Sequence, residues 1–297
     1  MNITDELNKY KSIIDSELEK IMPNEDSLQK KIFEAMRYSI FAGGKRLRPI
    51  LTLKTSELIS GSYEGALKIA LSIEMIHTYS LVHDDLPPMD NDDFRRGKPT
   101  NHRVFGEDIA ILAGDGLLNL AYETMLKSIP LNREYYKRYI SAIREVSKAA
   151  GVFGMIGGQT VDIQSKDDVL EEKKLEFIHN KKTSALIEAS IVSGAILAGA
   201  SNEQINNLRC YGQAIGLCFQ IRDDILDRIG DKKMLGKNIG SDETNHKLTY
   251  LSIYGMENSV REIQRLNKKA IESLSVFDDK ESLFLKELAN YLANRKS

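Results

Sequence analysis

Hydrophobic residues recur along this chain with the spacing expected of helices. Ile69, Ile73, Ile76 and Tyr79 follow one another every three or four residues, and a second run over 214–225 has the same spacing. Residues spaced in this way lie on one face of an α-helix. Because no segment of similar length alternates between apolar and polar residues as a strand does, the pattern predicts an all-α protein.

The helical runs are interrupted where Gly, Pro, Asn, Asp or mixed charges cluster. These interruptions predict about ten helices. We find no repeat of fixed period and no low-complexity tract, so we expect a compact bundle rather than a solenoid. One core can organise a chain of 297 residues, and we predict a single domain over 1–297. The predicted breaks are 42–49, 86–101, 128–132, 165–168, 228–246 and 277–281.

Charge and composition exclude several classes of protein. The formal net charge of −2 provides no broad basic field, so we expect neither nucleic acid nor an anionic membrane surface as a partner. The most apolar stretch, 185–200, is too short to span a bilayer. Cys210 and Cys218 lie about 12 Å apart if their segment is helical, which is too far for a disulfide. With the polar start of the chain, these features predict a cytoplasmic protein without membrane insertion.

One acidic cluster is formed by Asp223, Asp224 and Asp227. On a helix, offsets of three and four residues place these carboxylates on one face, with Gln220 one turn earlier. Each pair of like charges at about 4 Å could cost up to roughly 4 kcal/mol at an effective dielectric constant of 20, so the cluster needs cations or full solvation. A solvated acidic helix face is the alternative, but the apolar flanking residues indicate a largely buried helix.

Another acidic cluster, earlier in the chain, contains Asp84, Asp85 and Asp90. We call it the first acidic motif, and the cluster of Asp223, Asp224 and Asp227 the second acidic motif. Two prolines follow the aspartate pair, so the pair ends a helix and a loop can bring Asp90 back toward it. Carboxylates without nearby Cys or clustered His favour magnesium, which typically binds one or two carboxylates together with substrate phosphates. Arg95 and Arg96 supply forked donors suited to phosphate. The expected ligand is therefore a diphosphate.

A separate basic loop, Gly-Gly-Lys-Arg-Leu-Arg-Pro, occupies positions 43–49. Its glycines end one helix, and its proline suits the first turn of the next. A helix N-terminus beside Lys45 and Arg48 forms an anion site, although a solvated basic loop is the alternative. Two acidic clusters with basic neighbours indicate two phosphorylated substrates, or one substrate held twice. Further basic residues near loops or helix ends are Lys181, Lys182, Lys237 and Lys247.

These motifs resemble those of the trans-prenyl diphosphate synthases, most closely the bacterial-type farnesyl diphosphate synthases, over nearly the whole chain. The basic loop is similar to that family's isopentenyl diphosphate site, and the two acidic clusters are similar to its two aspartate-rich motifs. The resemblance implies an isoprenoid synthase-type helical bundle around a deep central cavity, and a homodimer. Other ordered matches are Gly157-Gly158-Gln159, Lys182-Thr183, Gln220, Gly236-Lys237 and Lys247-Leu248-Thr249-Tyr250.

The resemblance also implies roles for individual residues. It assigns about three magnesium ions per active site with substrate bound, held by carboxylates. The implied metal ligands are Asp84, Asp85, Asp90, Asp223, Asp224 and Asp227. The implied isopentenyl diphosphate site is Gly44, Lys45, Arg48, His77 and Arg96. The implied allylic diphosphate site is Arg95, Lys182, Thr183, Gln220, Lys237 and Lys247, of which Lys182, Thr183, Gln220 and Lys237 act in catalysis.

The length of the product is expected to depend on Tyr79 and Ser80. Tyr79 lies five residues before Asp84, which is about 7.5 Å along a helix. An aromatic residue at this place in the family fits a farnesyl product, and geranylgeranyl diphosphate is the alternative. A tyrosine that belongs to the core is an equally natural interpretation of the local sequence.

Two other functions remain possible on sequence grounds. A class I terpene cyclase also ionises an allylic diphosphate, but it does not need Lys45, Arg48 and His77 for a second diphosphate. A noncatalytic partner subunit of a prenyl synthase is expected to lose one aspartate cluster, whereas both are present here. The sequence therefore favours condensation of isopentenyl diphosphate with dimethylallyl or geranyl diphosphate.

Overall fold

The computed structural model describes residues 2–164, 172–229 and 249–295. Helices dominate these ranges, which confirms the predicted all-α fold. The α-helices are α1 (Ile3–Ile21), α2 (Lys30–Ile40), α3 (Leu47–Ser60), α4 (Leu67–Asp84), α5 (Asn101–Phe105), α6 (Glu107–Lys127), α7 (Arg133–Ala150), α8 (Met155–Gln164), α9 (Glu172–Ile178), α10 (Ala185–Ala198), α11 (Asn202–Ile229), α12 (Tyr250–Glu272) and α13 (Leu283–Asn294).

Two irregular helical pieces complete the helical part. A 3₁₀ turn, Glu64–Ala66, precedes α4, and a π-helical stretch, His179–Ser184, joins α9 to α10. We call the latter the π segment. π-helical turns are rare and occur frequently at functional sites.

The helix boundaries follow most of the predicted breaks. The predicted breaks at 86–101, 128–132 and 277–281 fall between helices, and α3 begins at Leu47, which places Pro49 in its first turn. The break at 165–168 and most of the break at 228–246 lie outside the described residues. The described helices number thirteen rather than about ten, because the sequence patterns did not separate short pieces such as α5 and α9.

Helices α4 and α10 form the centre of the bundle. α10 packs against α3, α7 and α11, whereas α4 packs against α6 and α3. Both helices bury side chains around most of their circumference, as a helix does when it is surrounded by others. Burying each Leu or Ile contributes roughly 1.5–3 kcal/mol. This packing fixes the end of α4, where the first acidic motif begins.

A small β-hairpin follows the first acidic motif. Phe94–Arg95 pairs antiparallel with Lys98–Pro99, so Arg96 and Gly97 are the two turn residues. Both have positive φ, 53° and 76°, as a two-residue type I′ turn requires. The turn directs Arg96 toward the loop between α2 and α3. The periodicity did not predict these strands, because each is only two residues long.

Helix α6 combines length with apolar character. By length and composition it is the one helix of the described ranges that could cross a membrane, and 33% of its most apolar 18-residue stretch is buried. It packs against α4 and α2, and core helices of soluble proteins also have this composition.

Candidate active site

The basic loop between α2 and α3 holds Arg96 against its glycines. Gly43 and Gly44 have φ of 102° and 126°, a conformation that side chains other than glycine rarely adopt. Arg96 donates to the carbonyl of Gly43. A Cβ atom on Gly44 would lie 2.7 Å from the Arg96 guanidinium, so the second glycine is required for this approach. Arg46, two residues after Gly44, belongs to the core, where it pairs with Asp15 and Glu74.

Arg48 and His77 lie beside this loop with little negative charge to balance them. Arg48 Nη1 is 3.4 Å from His77 Nε2, and its Nε is buried without a hydrogen-bond partner among the described residues. Burial lowers the pKa of Arg48 to about 10. Burial, reinforced by Arg48 and Arg96, holds the pKa of His77 well below its usual value, so His77 is neutral at pH 7. The cluster is therefore suited to bind an anion.

Lys45 connects this cluster to the second acidic motif. Burial and the nearby Arg295 lower its pKa, whereas the charge of Asp223 acts in the opposite direction. The charge of Asp223 also raises the pKa of Arg48, against the larger effect of burial. The predicted isopentenyl diphosphate residues Gly44, Lys45, Arg48, His77 and Arg96 thus lie close to one another and to one aspartate of the second motif.

The first acidic motif begins where α4 ends. The backbone N–H of Asp90 donates to the carbonyl of Asp84 at 2.9 Å, so the loop returns to the helix end as predicted. Burial raises the pKa of Asp84 to about 6; the charge of Lys182 opposes this rise, and Asp90 adds to it. The charged form of Asp84 is therefore destabilised by burial at the helix end.

Asp85 does not face the same way as Asp84. Arg95 Nε donates to both carboxylate oxygens of Asp85, at 2.7 and 2.9 Å, and its Nη2 lies 2.6 Å from one of them. The carboxylate is buried, and it holds the pKa of Arg95 above its usual value. The predicted metal ligand Asp85 and the predicted diphosphate contact Arg95 thus form an ion pair with each other, and their roles toward a metal and a diphosphate stay predictions. Sequence spacing could not show that the hairpin brings Arg95 back to the helix end.

The three aspartates of the second motif have different surroundings. Asp224 is buried, and it accepts hydrogen bonds from Gln220 Nε2 and from the backbone N–H of Tyr250, both at 2.8 Å. It therefore stabilises the start of α12, and its role as a metal ligand stays a prediction. Asp223 is 39% exposed and pairs with Arg295. Asp227 is buried, so α11 does not present one uniform acidic face.

The π segment joins the two acidic motifs. Lys182 Nζ lies 2.6 Å from Asp162 on α8 and faces the same cavity as Asp84. The next residue, Thr183, donates to Gln220 Oε1 at 2.8 Å, and Gln220 in turn donates to Asp224. Adjacent residues of one segment thus contact both sides of the site.

Gly158 makes the position of the π segment possible. A methyl group at this position would overlap the backbone of Lys182, so α8 and the π segment can only pack this closely around a glycine. The neighbouring His179 is buried, lies 3.8 Å from Asp224 and stacks on Tyr250. Burial lowers its pKa to about 4, so His179 is neutral.

A cavity of about 450 Å³ lies between α4, α6, α8 and the π segment. It contains residues predicted for both diphosphates, including Arg48, His77, Asp84 and Lys182. Gln159 also lines it, and both polar atoms of this amide are buried without a partner among the described residues. We call this space the reaction cavity.

Tyr79 and Ser80 line the same cavity. Tyr79 is only 6% exposed and packs edge-to-face on His83, and burial raises its pKa to about 12. Ser80 donates to the carbonyl of His77 at 2.9 Å. Among the residues of α4, His77 is the earliest that lines the cavity.

Two predicted site residues, Lys237 and Lys247, lie outside the described residues. Two residues of the site were not predicted at all. Asp162 pairs with Lys182 and lies two residues before the end of α8, where its sequence gives no signal. Arg295 pairs with Asp223 and its guanidinium lies 4.0 Å from the Phe219 ring centroid. A single arginine near the chain end carries no motif that could have identified it.

The comparisons with known proteins agree with this geometry. A family model described as polyprenyl synthetase matches residues 29–285. A geranylgeranyl diphosphate synthase of Cyanophora paradoxa is 44% identical over 302 residues, covering 100% of this chain and 97% of that protein. The chloroplastic heterodimeric geranylgeranyl pyrophosphate synthase large subunit 1 of Arabidopsis thaliana is 47% identical over 288 residues, covering 96% of this chain and 77% of that protein.

Solved structures extend the likeness to the whole fold. The crystal structure of an FPP/GFPP synthase from Zymomonas mobilis has a TM-score of 0.86 and 34% sequence identity, and the match covers 99% of each chain. The two sequence relatives are both named for geranylgeranyl diphosphate. The predicted likeness to the farnesyl branch in particular is therefore not confirmed.

Proposed function

Because the chain belongs to the polyprenyl synthetase family, we propose that it joins isopentenyl diphosphate to an allylic diphosphate. One observation carries the proposal: two neighbouring residues of the π segment lie between the two acidic motifs. Lys182 shares the reaction cavity with Asp84, and Thr183 is linked through Gln220 to Asp224. The cluster of Arg48, His77 and Arg96 supplies the second anion site that a condensing enzyme needs and a cyclase does not.

The donor set fits magnesium as a cofactor. Asp84, Asp90 and Asp223 would hold it, since all offer hard oxygen ligands. Burial raises the pKa of Asp84, and a bound cation would offset the cost of burying its charge. Within the described ranges no three His, Cys, Asp or Glu side chains converge on one metal position, and magnesium commonly completes its shell with substrate phosphates and water. When bound, the ion would act as a Lewis acid on the leaving diphosphate.

The protein's own residues then divide the remaining tasks. Lys182 donates to the allylic diphosphate as its carbon–oxygen bond breaks, and the Thr183 and Gln220 dipoles face the allylic cation that is left. Arg48, His77 and Arg96 hold isopentenyl diphosphate so that its alkene attacks this cation. The new carbon–carbon bond leaves a cation that loses a proton to the released diphosphate. The apolar cavity wall keeps water from capturing the cation first.

The product chain length has two candidates. Geranylgeranyl diphosphate is favoured by the names of the relatives with 44% and 47% identity. Farnesyl diphosphate is favoured by one feature of the site, the buried Tyr79 ring in the wall of the reaction cavity. A growing chain that reaches this ring cannot lengthen further, so the position of the ring would set the length of the product.

We also propose that two copies of the chain assemble. Helices α6 and α7 expose apolar side chains, including Ile111, Leu112, Leu126, Tyr136 and Ile140, which a partner would cover. Light scattering should give twice the 33.5 kDa mass of one chain; the mass of one chain would contradict the proposal. The similar Arabidopsis protein is named as a subunit of a heterodimer. We also propose that the protein is cytoplasmic.

A single assay tests the reaction. The purified protein is incubated with magnesium, radiolabelled isopentenyl diphosphate and either dimethylallyl, geranyl or farnesyl diphosphate, and the dephosphorylated products are sized. We expect linear products of fifteen or twenty carbons, and a Lys182→Gln variant serves as the control with a weakened site. Cyclic products without incorporated label would indicate a terpene cyclase, and no product would indicate a noncatalytic subunit.

A further inference from the structure

The π segment also borders a second cavity, of about 520 Å³. Lys182 and Thr183 line the reaction cavity, whereas Lys181 and Ser184 line this second space together with residues of α7, α10, α11 and α12. We call it the outer pocket. One short segment thus forms part of the wall of both cavities.

The outer pocket carries excess positive charge. Lys148, Lys181 and Lys269 line it, and none of them forms an ion pair or side-chain hydrogen bond with any residue in the described ranges. Its two carboxylates, Glu145 and Glu188, both pair with Arg209 and so do not neutralise the lysines. Three ammonium groups without a partner among the described residues, placed around one concave space, attract a multiply charged anion.

A buried hydroxyl points to the same kind of ligand. Ser184 is 3% exposed and lines the pocket, yet its Oγ has no hydrogen-bond partner within the part of the chain that the structure describes. Gly216 packs directly on it, since a Cβ there would lie 2.9 Å from the Ser184 side chain. A buried hydroxyl without a partner destabilises a fold, and it can donate to an anion that enters the pocket.

We propose that the outer pocket is a second anion site that binds a diphosphate group on Lys148, Lys181, Lys269 and Ser184. Two sources share this chemistry, inorganic diphosphate and the head of a prenyl diphosphate, whose tail would contact Leu217 and Leu266 in the wall. Because the ligand holds the π segment from its outer side, its binding shifts Lys182 and Thr183. The binding part of this inference does not require the proposed reaction, but the effect on catalysis rests on it.

Calorimetric titration with inorganic diphosphate in EDTA tests the binding directly. The Lys181→Gln/Lys269→Gln variant should lose a binding component, with affinity falling roughly tenfold or more. Lys268→Gln, at the neighbouring position of α12, removes one similar charge and should bind as the wild type does. Wild-type affinity and stoichiometry in the double variant would overturn the proposal. A parallel titration with a prenyl thiolodiphosphate distinguishes the sources, since tighter binding than inorganic diphosphate means that the tail is recognised.

Ser184→Ala separates binding from folding. Removing the unpartnered hydroxyl should raise stability toward urea and at the same time weaken diphosphate binding. Stability and binding that fall together would indicate a structural role for Ser184 and contradict its part in the site. For catalysis, we expect diphosphate to inhibit the wild type by two routes, one competitive with the allylic substrate and one noncompetitive. The double lysine variant should retain only the competitive inhibition. If the double variant loses the binding component but shows the same inhibition as the wild type, the anion site is supported and its coupling to the π segment is refuted.

Discussion

Asp84→Asn should stabilise the free protein while it removes activity. Burial raises the pKa of Asp84 from 3.8 to about 6, despite the nearby Lys182. A difference of about two pKa units corresponds to roughly 3 kcal/mol by which the charged carboxylate destabilises the fold at pH 8. Asparagine keeps the shape and removes the charge. In the absence of divalent ions, the free energy of unfolding should therefore rise by up to about 3 kcal/mol.

The pH dependence gives this prediction its sign. A carboxyl group with a raised folded-state pKa binds its proton more tightly in the folded than in the unfolded protein, so stability falls as pH rises from about 4 to about 6. The full penalty is present above pH 6. The gain of Asp84→Asn over the wild type should therefore be roughly half as large at pH 5 as at pH 8. Urea denaturation in EDTA at both pH values measures it.

Asp85→Asn is the matched control, because it changes the adjacent aspartate in the same way. Burial raises the pKa of Asp85 as well, but the hydrogen bond and charge of Arg95 oppose this rise, and Asp85→Asn would leave the Arg95 charge without its partner. We therefore expect Asp85→Asn to stabilise the fold clearly less than Asp84→Asn does, or to destabilise it. With magnesium, Asp84→Asn should lower turnover by at least about a hundredfold. A destabilised Asp84→Asn, or an Asp85→Asn variant that gains as much stability as Asp84→Asn, would refute the assignment of which aspartate faces the cavity.

Three further predictions concern the cavity and its supports. Tyr79→Ala should lengthen the product, as sized by chromatography; an unchanged chain length would show that the ring does not end the cavity. Gly158→Ala should destabilise the fold by about 1–3 kcal/mol through overpacking and lower kcat, because the new methyl displaces the backbone of Lys182; wild-type values of both would contradict this contact. Arg48→Met should raise KM for isopentenyl diphosphate by about tenfold or more and leave KM for the allylic substrate nearly unchanged; equal effects on both would argue against two separate anion sites.

Local sequence patterns predicted the fold class and the local geometry of the two acidic motifs. Helical periodicity identified the all-α fold, because every long element has one apolar stripe or is apolar throughout. The prolines after Asp85 predicted the loop that returns Asp90 to the end of α4. The four-residue offset between Gln220 and Asp224 placed the two residues on one helix face, where the structure shows them in contact. Each of these rests on interactions between residues close in sequence.

Partners that are distant in the chain could not be predicted in this way. Asp224 accepts from the start of α12, 26 residues later, and Asp223 pairs with Arg295, 72 residues later. In the sequence motif the two carboxylates look equivalent. In the packed structure, Asp224 accepts from a helix N-terminus and Asp223 pairs with an arginine. The pairing of Asp85 with Arg95 likewise depends on a two-residue turn. Product length is a further case, since it depends on how far a buried ring projects into a cavity.

The most direct test of the account is whether the two acidic motifs bind one ligand together. Affinity for an unreactive allylic thiolodiphosphate is measured with magnesium for the wild type, Asp84→Asn, Asp223→Asn and the double variant. If both carboxylates hold the same diphosphate through shared ions, the two losses should be non-additive by about 1 kcal/mol or more. Losses that add to within about 0.5 kcal/mol would mean that the motifs act at separate sites, and the proposed reaction would then lack its central feature.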